Sequence, residues 1–361
     1  MDSYKNLPAG VFLSSLSALE LYYGKELSEP VSICLRGSLA DIAREFDDVD
    51  FPGIDGCDAV ARFDGAVCLI RCVDEDEPFP RMPFSVQNLC YDPRRRVFLD
   101  PLNIYYDIRR GEPRLLDEVC CDEQTVIEGA LLYSRFKYPR SRFYKGLEYN
   151  WEHISVYEQR LLLTRILKGK YAHRGLDILM QTGFIGTHWP ELAIMDTTEH
   201  AKEYHPEGNA WEHTLETFRY RKAADLALSL GLLLHDAGKP TAKRNEGNTF
   251  DRHAQIGSGI ARRFMARLGF EQEVRDEVVF LVREHMLPAF IPRLPTYRIE
   301  RSMSSPWFPK LLELFRCDLS STFRGPEKYY EACTTYRIYL KHRKNPFRTA
   351  EGKKQLRLYV E

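Results

Sequence analysis

Six side chains of metal-ligand type recur at wide intervals through the C-terminal half of this chain: His213, the adjacent pair His235-Asp236, His253, His285 and Asp318. The gaps are 22 residues from His213 to His235, 17 from Asp236 to His253, 32 to His285 and 33 more to Asp318. Each gap is about the length of one helix plus one connection. A helical bundle in which successive helices each offer a ligand to one centre meets that spacing. The pair His235-Asp236 closes an apolar run, Leu226 to Leu234, that reads as a core helix. Polar groups at such a place are costly unless something satisfies them. Imidazole and carboxylate are the ligands that borderline and harder divalent ions take. Neighbouring residues on a helix point about 100° apart, so the pair can serve two positions, with the carboxylate bridging two ions.

The 361 residues are long for one core and imply two or three domains. Hydrophobic content of 44% and charged content of 29% are those of a soluble globular protein. The N-terminus lacks a basic stretch followed by an apolar one, so no secretory signal is expected. The longest apolar run is too short to span a bilayer. Nine cysteines without metal-type pairs fit a reducing cytoplasm. Net charge is −1, which gives no global pull toward nucleic acid. The first hundred residues carry 18 acidic and 10 basic side chains; the rest carry 34 and 41. An acidic head therefore precedes a basic body, and a second copy of the chain is a candidate partner.

Apolar spacing over residues 9–24 predicts a first helix. Val31–Leu35 reads as a strand, Leu39–Phe46 as a short helix and Val49–Phe51 as the start of a second strand. Residues 60–73 predict a hairpin turning at Asp64-Gly65, and Phe84–Cys90 and Val97–Asp100 further short strands. Beyond Leu115 the pattern turns helical: Val126–Phe136, Glu158–Leu167 and Leu176–Thr182 with a glycine stop at Gly183. Trp211–Leu234, Ile256–Leu268, Glu271–His285 and Phe308–Leu319 follow as amphipathic or buried helices.

The order His…His-Asp…Asp, with Leu-Leu-His-Asp-Ala-Gly-Lys-Pro at residues 233–240, resembles the HD superfamily of metal-dependent phosphohydrolases. The resemblance implies His213, His235, Asp236 and Asp318 as ligands of a first divalent ion. His253 and His285 match positions that supply a second ion in its dinuclear branch. One or two ions would lower the pKa of a bound water and polarise a phosphoryl oxygen. Mn, Fe, Co, Ni, Zn and Mg are not distinguished by such ligands. Lys239 is placed to meet a phosphate, and Asp236 and Lys239 are the catalytic candidates. His205 reads as a turn residue near the mouth of the site.

A second resemblance spans most of the chain. Leu35-Arg-Gly-Ser-Leu-Ala-Asp41 with Asp47-Asp-Val-Asp-Phe51, then Phe84-Ser-Val-Gln-Asn88, Tyr91-Asp-Pro93 and Leu99-Asp-Pro101, is similar to the head of the tRNA nucleotidyltransferase/poly(A) polymerase family. Residues 205–214 resemble that family's entry into a C-terminal HD domain. Alternate strand residues share a face, so Asp48 and Asp50 are expected to point the same way and to hold Mg²⁺ with a nucleotide triphosphate. Gly37 and Ser38 would offer N–H groups to phosphate at a helix start. The pattern also departs from the family. Arg36 replaces the first glycine, Arg81-Met82-Pro83 replaces Arg-Arg-Asp, and Thr125–Gly129 replaces the nucleotide-selecting Glu-Asp-x-x-Arg. These departures imply a head that keeps the fold and has lost or changed templated addition. Residues 135–145 interleave Arg135, Lys137, Arg140, Arg142 and Lys145 with aromatics, a composition that can hold an RNA backbone while rings stack on bases.

The fold expected is α+β: a nucleotidyltransferase-like mixed α/β head over 1–115, a helical neck over 116–195, an all-α HD domain over 196–345, and a basic tail over 346–361. The leading expectation for function is a metal-dependent phosphohydrolase acting on a phosphomonoester, a 2′,3′-cyclic phosphate or a nucleotide. An RNA 3′ end is the candidate macromolecular substrate. The alternatives are an active RNA nucleotidyltransferase using Asp48 and Asp50, and a non-catalytic RNA- or nucleotide-binding module.

Overall fold

The computed structural model describes residues 7–74, 76–116, 121–139, 143–199, 208–243, 250–323 and 325–342. The chain divides into two compact units, one of residues 1–153 with 161–182, the other of residues 154–160 with 183–361.

The first unit opens with β1 (Val11–Ser14) running into α1 (Ser15–Tyr22), then β2 (Val31–Arg36), α2 (Leu39–Glu45), β3 (Asp47–Asp50), β4 (Ala59–Phe63), β5 (Ala66–Val73), β6 (Cys90–Asp92), β7 (Val97–Leu99), α3 (Tyr105–Arg110) and α4 (Glu123–Arg135). It closes with α6 (Ala172–Gln181); α5 (Val156–Leu167) is divided between the units. The seven strands form one sheet in the order β3-β4-β5-β2-β1-β6-β7. Only β2 and β5 pair in parallel; every other pair is antiparallel. Ile33, Leu35, Leu13, Ala61 and Ile70 from the sheet pack with Ile42 and Phe46 in one buried cluster.

Residues 9–24 are not one helix. Val11–Leu13 pairs with Leu35–Ile33, and the chain becomes helical only at Ser15, which holds a left-handed φ of 49°. The helical spacing of Leu13, Leu16 and Leu19 was real, but two sheet neighbours claim the backbone groups of its first turn. The β4–β5 hairpin turns at Asp64-Gly65, both with positive φ (48° and 79°), the conformation that such a two-residue turn requires. Within Phe84–Cys90, Ser85–Asn88 is a 3-10 turn, and only Cys90 enters a strand, as the start of β6. The buried Asn88 amide bonds the carbonyls of Met82 and Phe84 and so satisfies the turn from within.

The second unit is helical: α7 (Phe184–His188), α8 (Pro190–Ala193), α9 (Ala210–Tyr220), α10 (Leu226–Leu234), α11 (His253–Arg267), α12 (Gln272–Glu284), α13 (Thr296–Met303), α14 (Phe308–Ser320) and α15 (Glu327–His342). The expected helix over 211–234 is two helices. Asp225 breaks it by capping α10, its side chain accepting from the Leu228 N–H at 2.8 Å. Helix α10 is buried along nearly its whole length. A Cβ added at Gly231 would lie 3.1 Å from both Leu281 and Leu314, so this glycine sets how closely α10 crosses α12 and α14. No described helix is long and apolar enough to cross a membrane.

Candidate metal centre and nucleotidyltransferase-like head

The second unit brings all six predicted ligands together. His235 and His285 end α10 and α12 as their C-caps, His253 begins α11, His213 lies on α9 and Asp318 on α14. They form two trios, His213/His235/Asp318 and Asp236/His253/His285, each with ligand atoms within 4.8 Å of one another. Asp236 faces both. Its Oδ2 lies 3.8 Å from His213 Nε2 and 3.4 Å from His235 Nε2, and its Oδ1 lies 3.8 Å from His253 Nε2 and 4.0 Å from His285 Nε2. His213, His235, Asp236 and His285 are all at most 2% exposed.

The tautomers follow from the hydrogen bonds. Nδ1 of His235, His253 and His285 lies 2.7, 2.9 and 2.7 Å from the carbonyl oxygens of Leu232, Phe250 and Val282. A carbonyl only accepts, so each Nδ1 carries the proton. Ser321 gives its hydroxyl proton to the Asp318 carbonyl, which leaves its oxygen to accept from His213 Nδ1 at 3.4 Å. In the neutral rings all four Nε2 atoms are therefore bare lone pairs, and they face inward. His253 Nε2 stands 3.1 Å from His285 Nε2, and His213 Nε2 stands 3.0 Å from Asp318 Oδ1. His235 Nε2 is buried with no hydrogen-bond partner. Acceptors converging on acceptors in a buried place are unfavourable unless a cation lies among them. Backbone carbonyls that orient the far side of each ring are what metal-binding histidines use. The residues present therefore fit one or two divalent ions.

For His253 and His285 the electrostatics agree with this assignment. Burial pushes His285 down to about 3, reinforced by His235. Burial likewise lowers His253, against the pull of Asp236. Burial alone would raise Asp236, yet His235 and Lys239 hold it well below the usual carboxylate range. Asp318 too lies below the usual carboxylate range, the His213 ring beside it outweighing burial. Neutral imidazoles and ionised carboxylates are the forms that bind metal. Lys239 donates to Asp236 Oδ2 at 2.5 Å.

One residue the sequence reading passed over is essential to this geometry. A Cβ at Gly238 would fall 2.1 Å from the His253 carbonyl and 2.5 Å from Gly257 N. The turn after Asp236 presses onto the start of α11, and only glycine permits that approach. The two-residue separation from Asp236 was the available signal. His205 lies outside the described residues.

The head is different. The Gly37 N–H donates to the Val73 carbonyl at 3.0 Å, and the Ser38 N–H and hydroxyl both donate to Asp41 Oδ2 at 2.8 and 2.7 Å. The N–H groups expected to meet phosphate are thus committed within the protein, and α2 is sealed by its own capping box. Asp48 and Asp50 do lie on the exposed edge strand, but simple alternation does not relate them. Asp47 pairs with Arg62 and Asp50 with Val60, so β3 holds one extra residue, and Asp48 is left-handed at φ 47°. Asp48 Oδ2 is 3.5 Å from Arg62 Nε.

At the place of the nucleotide-selecting motif, Glu128 is buried and accepts from Gln87 at 2.7 Å. A Cβ on Gly129 would lie 2.3 Å from the Phe143 ring, so that ring fills the position of the motif's arginine. The expected RNA-binding stretch is also corrected in part. Arg135 is buried and paired with Glu20 at 2.7 Å, and Phe136, Tyr138 and Tyr144 are buried as well. Arg135, the last residue of α4, and the three rings that follow it are thus turned inward rather than to solvent. Lys137 and Lys145 are exposed; Arg140, Arg142 and the basic tail lie outside the described residues.

Residues 210–340 match the HD domain family, so the class of the second unit is defined: its C-terminal region is an HD domain. The chain is also similar to parts of several curated proteins. It is 34% identical over 176 residues to the CC-adding tRNA nucleotidyltransferase of Thermus thermophilus, a match covering 46% of this chain and 39% of that protein. It is 31% identical over 126 residues to the Multifunctional CCA protein of Halorhodospira halophila, covering 34% and 30%. These matches span two-fifths or less of the curated relatives' own length. Among solved structures it shares its fold with the Bacillus stearothermophilus CCA-adding enzyme in complex with CTP, at TM-score 0.51 and 15% identity over 92% of this chain and 89% of that one. A tRNA nucleotidyltransferase complexed with a primer tRNA and an incoming ATP analog aligns at TM-score 0.50 and 14% identity, covering 93% and 96%.

Proposed function

We propose that this chain acts on the 3′ end of RNA, with tRNA the substrate that its relatives' names point to, through two chemistries. The first is nucleotidyl transfer from the head. The comparisons support it better than they support hydrolysis as the main activity, because the named relatives are nucleotidyltransferases or CCA proteins. Asp48 and Asp50, set apart by the bulge in β3, would hold Mg²⁺ against a nucleotide triphosphate once that edge reorganises. With Glu128 spent on Gln87 and Phe143 over Gly129, the head has no free carboxylate–arginine pair in that stretch for reading a base edge. Transfer is therefore expected to discriminate poorly among nucleotides. The test is incorporation of each of four labelled nucleotides into tRNA lacking its terminal residues, by wild type and Asp48→Ala. Incorporation lost in Asp48→Ala supports the reading; none by wild type removes it.

The second chemistry is metal-dependent phosphohydrolysis at the HD centre. The observation that carries it is the inward convergence of four bare Nε2 atoms and two carboxylates. His213, His235 and Asp318 would hold one ion, His253 and His285 another, and Asp236 both. Ions bound there supply a water of lowered pKa and draw charge from a phosphoryl oxygen. The protein's part is to keep the imidazoles neutral, to fix each ring through its Nδ1–H, and to place the Lys239 ammonium where negative charge builds on phosphate. The test is metal content together with hydrolysis of p-nitrophenyl phosphate, bis-p-nitrophenyl phosphate and 2′,3′-cyclic AMP. Bound metal without turnover on any of the three would leave a structural metal and a binding module.

A further inference from the structure

The two trios meet Asp236 on different oxygens, and among the described residues only one of those oxygens carries an ammonium partner. Lys239 Nζ lies 2.5 Å from Oδ2, the oxygen that faces His213 and His235. Oδ1 faces His253 and His285. The lysine is held where it is. It sits three residues past Asp236 in a 3-10 turn (Lys239–Thr241), and its ammonium lies 5.7 Å from the centre of the Phe250 ring. The Phe250 carbonyl in turn orients His253. A metal–oxygen bond is about 2.1 Å, so an ion sharing Oδ2 with that ammonium would stand within about 5 Å of it, at a buried place where like charges are poorly screened.

We propose that Lys239 makes the two ion positions unequal, weakening the His213/His235/Asp318 position by competing for Asp236 Oδ2 while leaving Oδ1 to the other. This rests on the metal reading of the HD centre and concerns how that centre fills. Lys239 is on this view a positioning residue for the ions as well as a phosphate contact. The lysine holds Asp236 in place before loading and would give up Oδ2 as the shared position fills.

The experiment is calorimetric titration of the chelator-stripped full chain with Mn²⁺ and with Co²⁺, scored by ion stoichiometry and by the Co²⁺ absorption spectrum rather than by turnover. Wild type, Lys239→Met, Lys239→Arg, His235→Ala and His253→Ala are compared. Each histidine variant identifies one position by the ion it loses. The expected result is two unequal affinities in wild type. Lys239→Met should tighten the ion that His235→Ala loses by about tenfold or more and move the other less than about threefold, since each tenfold is 1.4 kcal/mol of removed repulsion. Lys239→Arg, which keeps the charge, should stay near wild type. Equal tightening at both positions, or none at either, overturns the proposal while leaving the metal centre standing. Absence of any bound ion in wild type overturns the metal reading itself. If Lys239→Met does not fold, as judged by circular dichroism, Lys239→Gln goes through the same titration and the same two outcomes decide.

Discussion

The HD centre and the edge of the head expected to meet phosphate are both built from charged and small residues, yet their hydrogen bonds run in opposite directions. In the centre, every protonated nitrogen of the four histidines is spent on the periphery, and lone pairs point inward. In the head, the groups that would meet a ligand are spent on the protein itself: Gly37 on Val73, Ser38 on Asp41, Glu128 on Gln87. A site poised for a ligand shows unmet demand in a buried place, and a site whose demand is met internally must reorganise before it binds.

The largest effect should come from Asp236→Ala, which removes the one carboxylate common to both trios. Both ions are expected to be lost, by mass spectrometry, and phosphoester hydrolysis to fall by more than about 100-fold. Retention of one ion at full strength would break the bridging arrangement. Next is Arg135→Ala. Because Arg135 is buried against Glu20, this change should cost about 3–5 kcal/mol of stability by stranding a carboxylate, read by urea denaturation. A variant of wild-type stability with weakened RNA binding would instead restore the surface role the sequence suggested.

Gly238→Ala should cost about 1–3 kcal/mol through the clash with the His253 carbonyl and should lower metal content with it. The same change at Gly186, where an added Cβ meets nothing within 4 Å, is the control. The smallest effect is on pH. Burial pushes His285 down to about 3 from its ordinary 6.5, so between those values the unfolded chain binds the extra proton. Stability is therefore full above about pH 6.5 and is lost as pH falls through that window. Melting curves in chelator from pH 7 to 5 should show this slope, and His285→Gln should flatten it.

Much of the architecture was legible from pattern alone. The hairpin at Asp64-Gly65 and the glycine stop at Gly183 are local signals, and the structure keeps both. What pattern could not show was competition from distant partners. Residues 11–14 carry helical spacing but lie between two strands that take their backbone groups. Residues 211–234 look continuous until Asp225 caps a second helix. The six metal-type residues were legible because spacing and residue type coincide. The inward turn of Arg135, Tyr138 and Tyr144 was not, because a basic–aromatic string reads the same on a surface as against a core. The bulge that sets Asp48 apart from Asp50 leaves no mark in Asp-Asp-Val-Asp.

The three rings of His235, His253 and His285 are each anchored to the main-chain carbonyl three positions earlier. Main chain is supplied by every residue type, so Leu232, Phe250 and Val282 hold their rings whatever side chains those positions carry. The aim of the ligands is thus insulated from substitution at the very positions that set it, and random change there can erode packing without misdirecting a single imidazole.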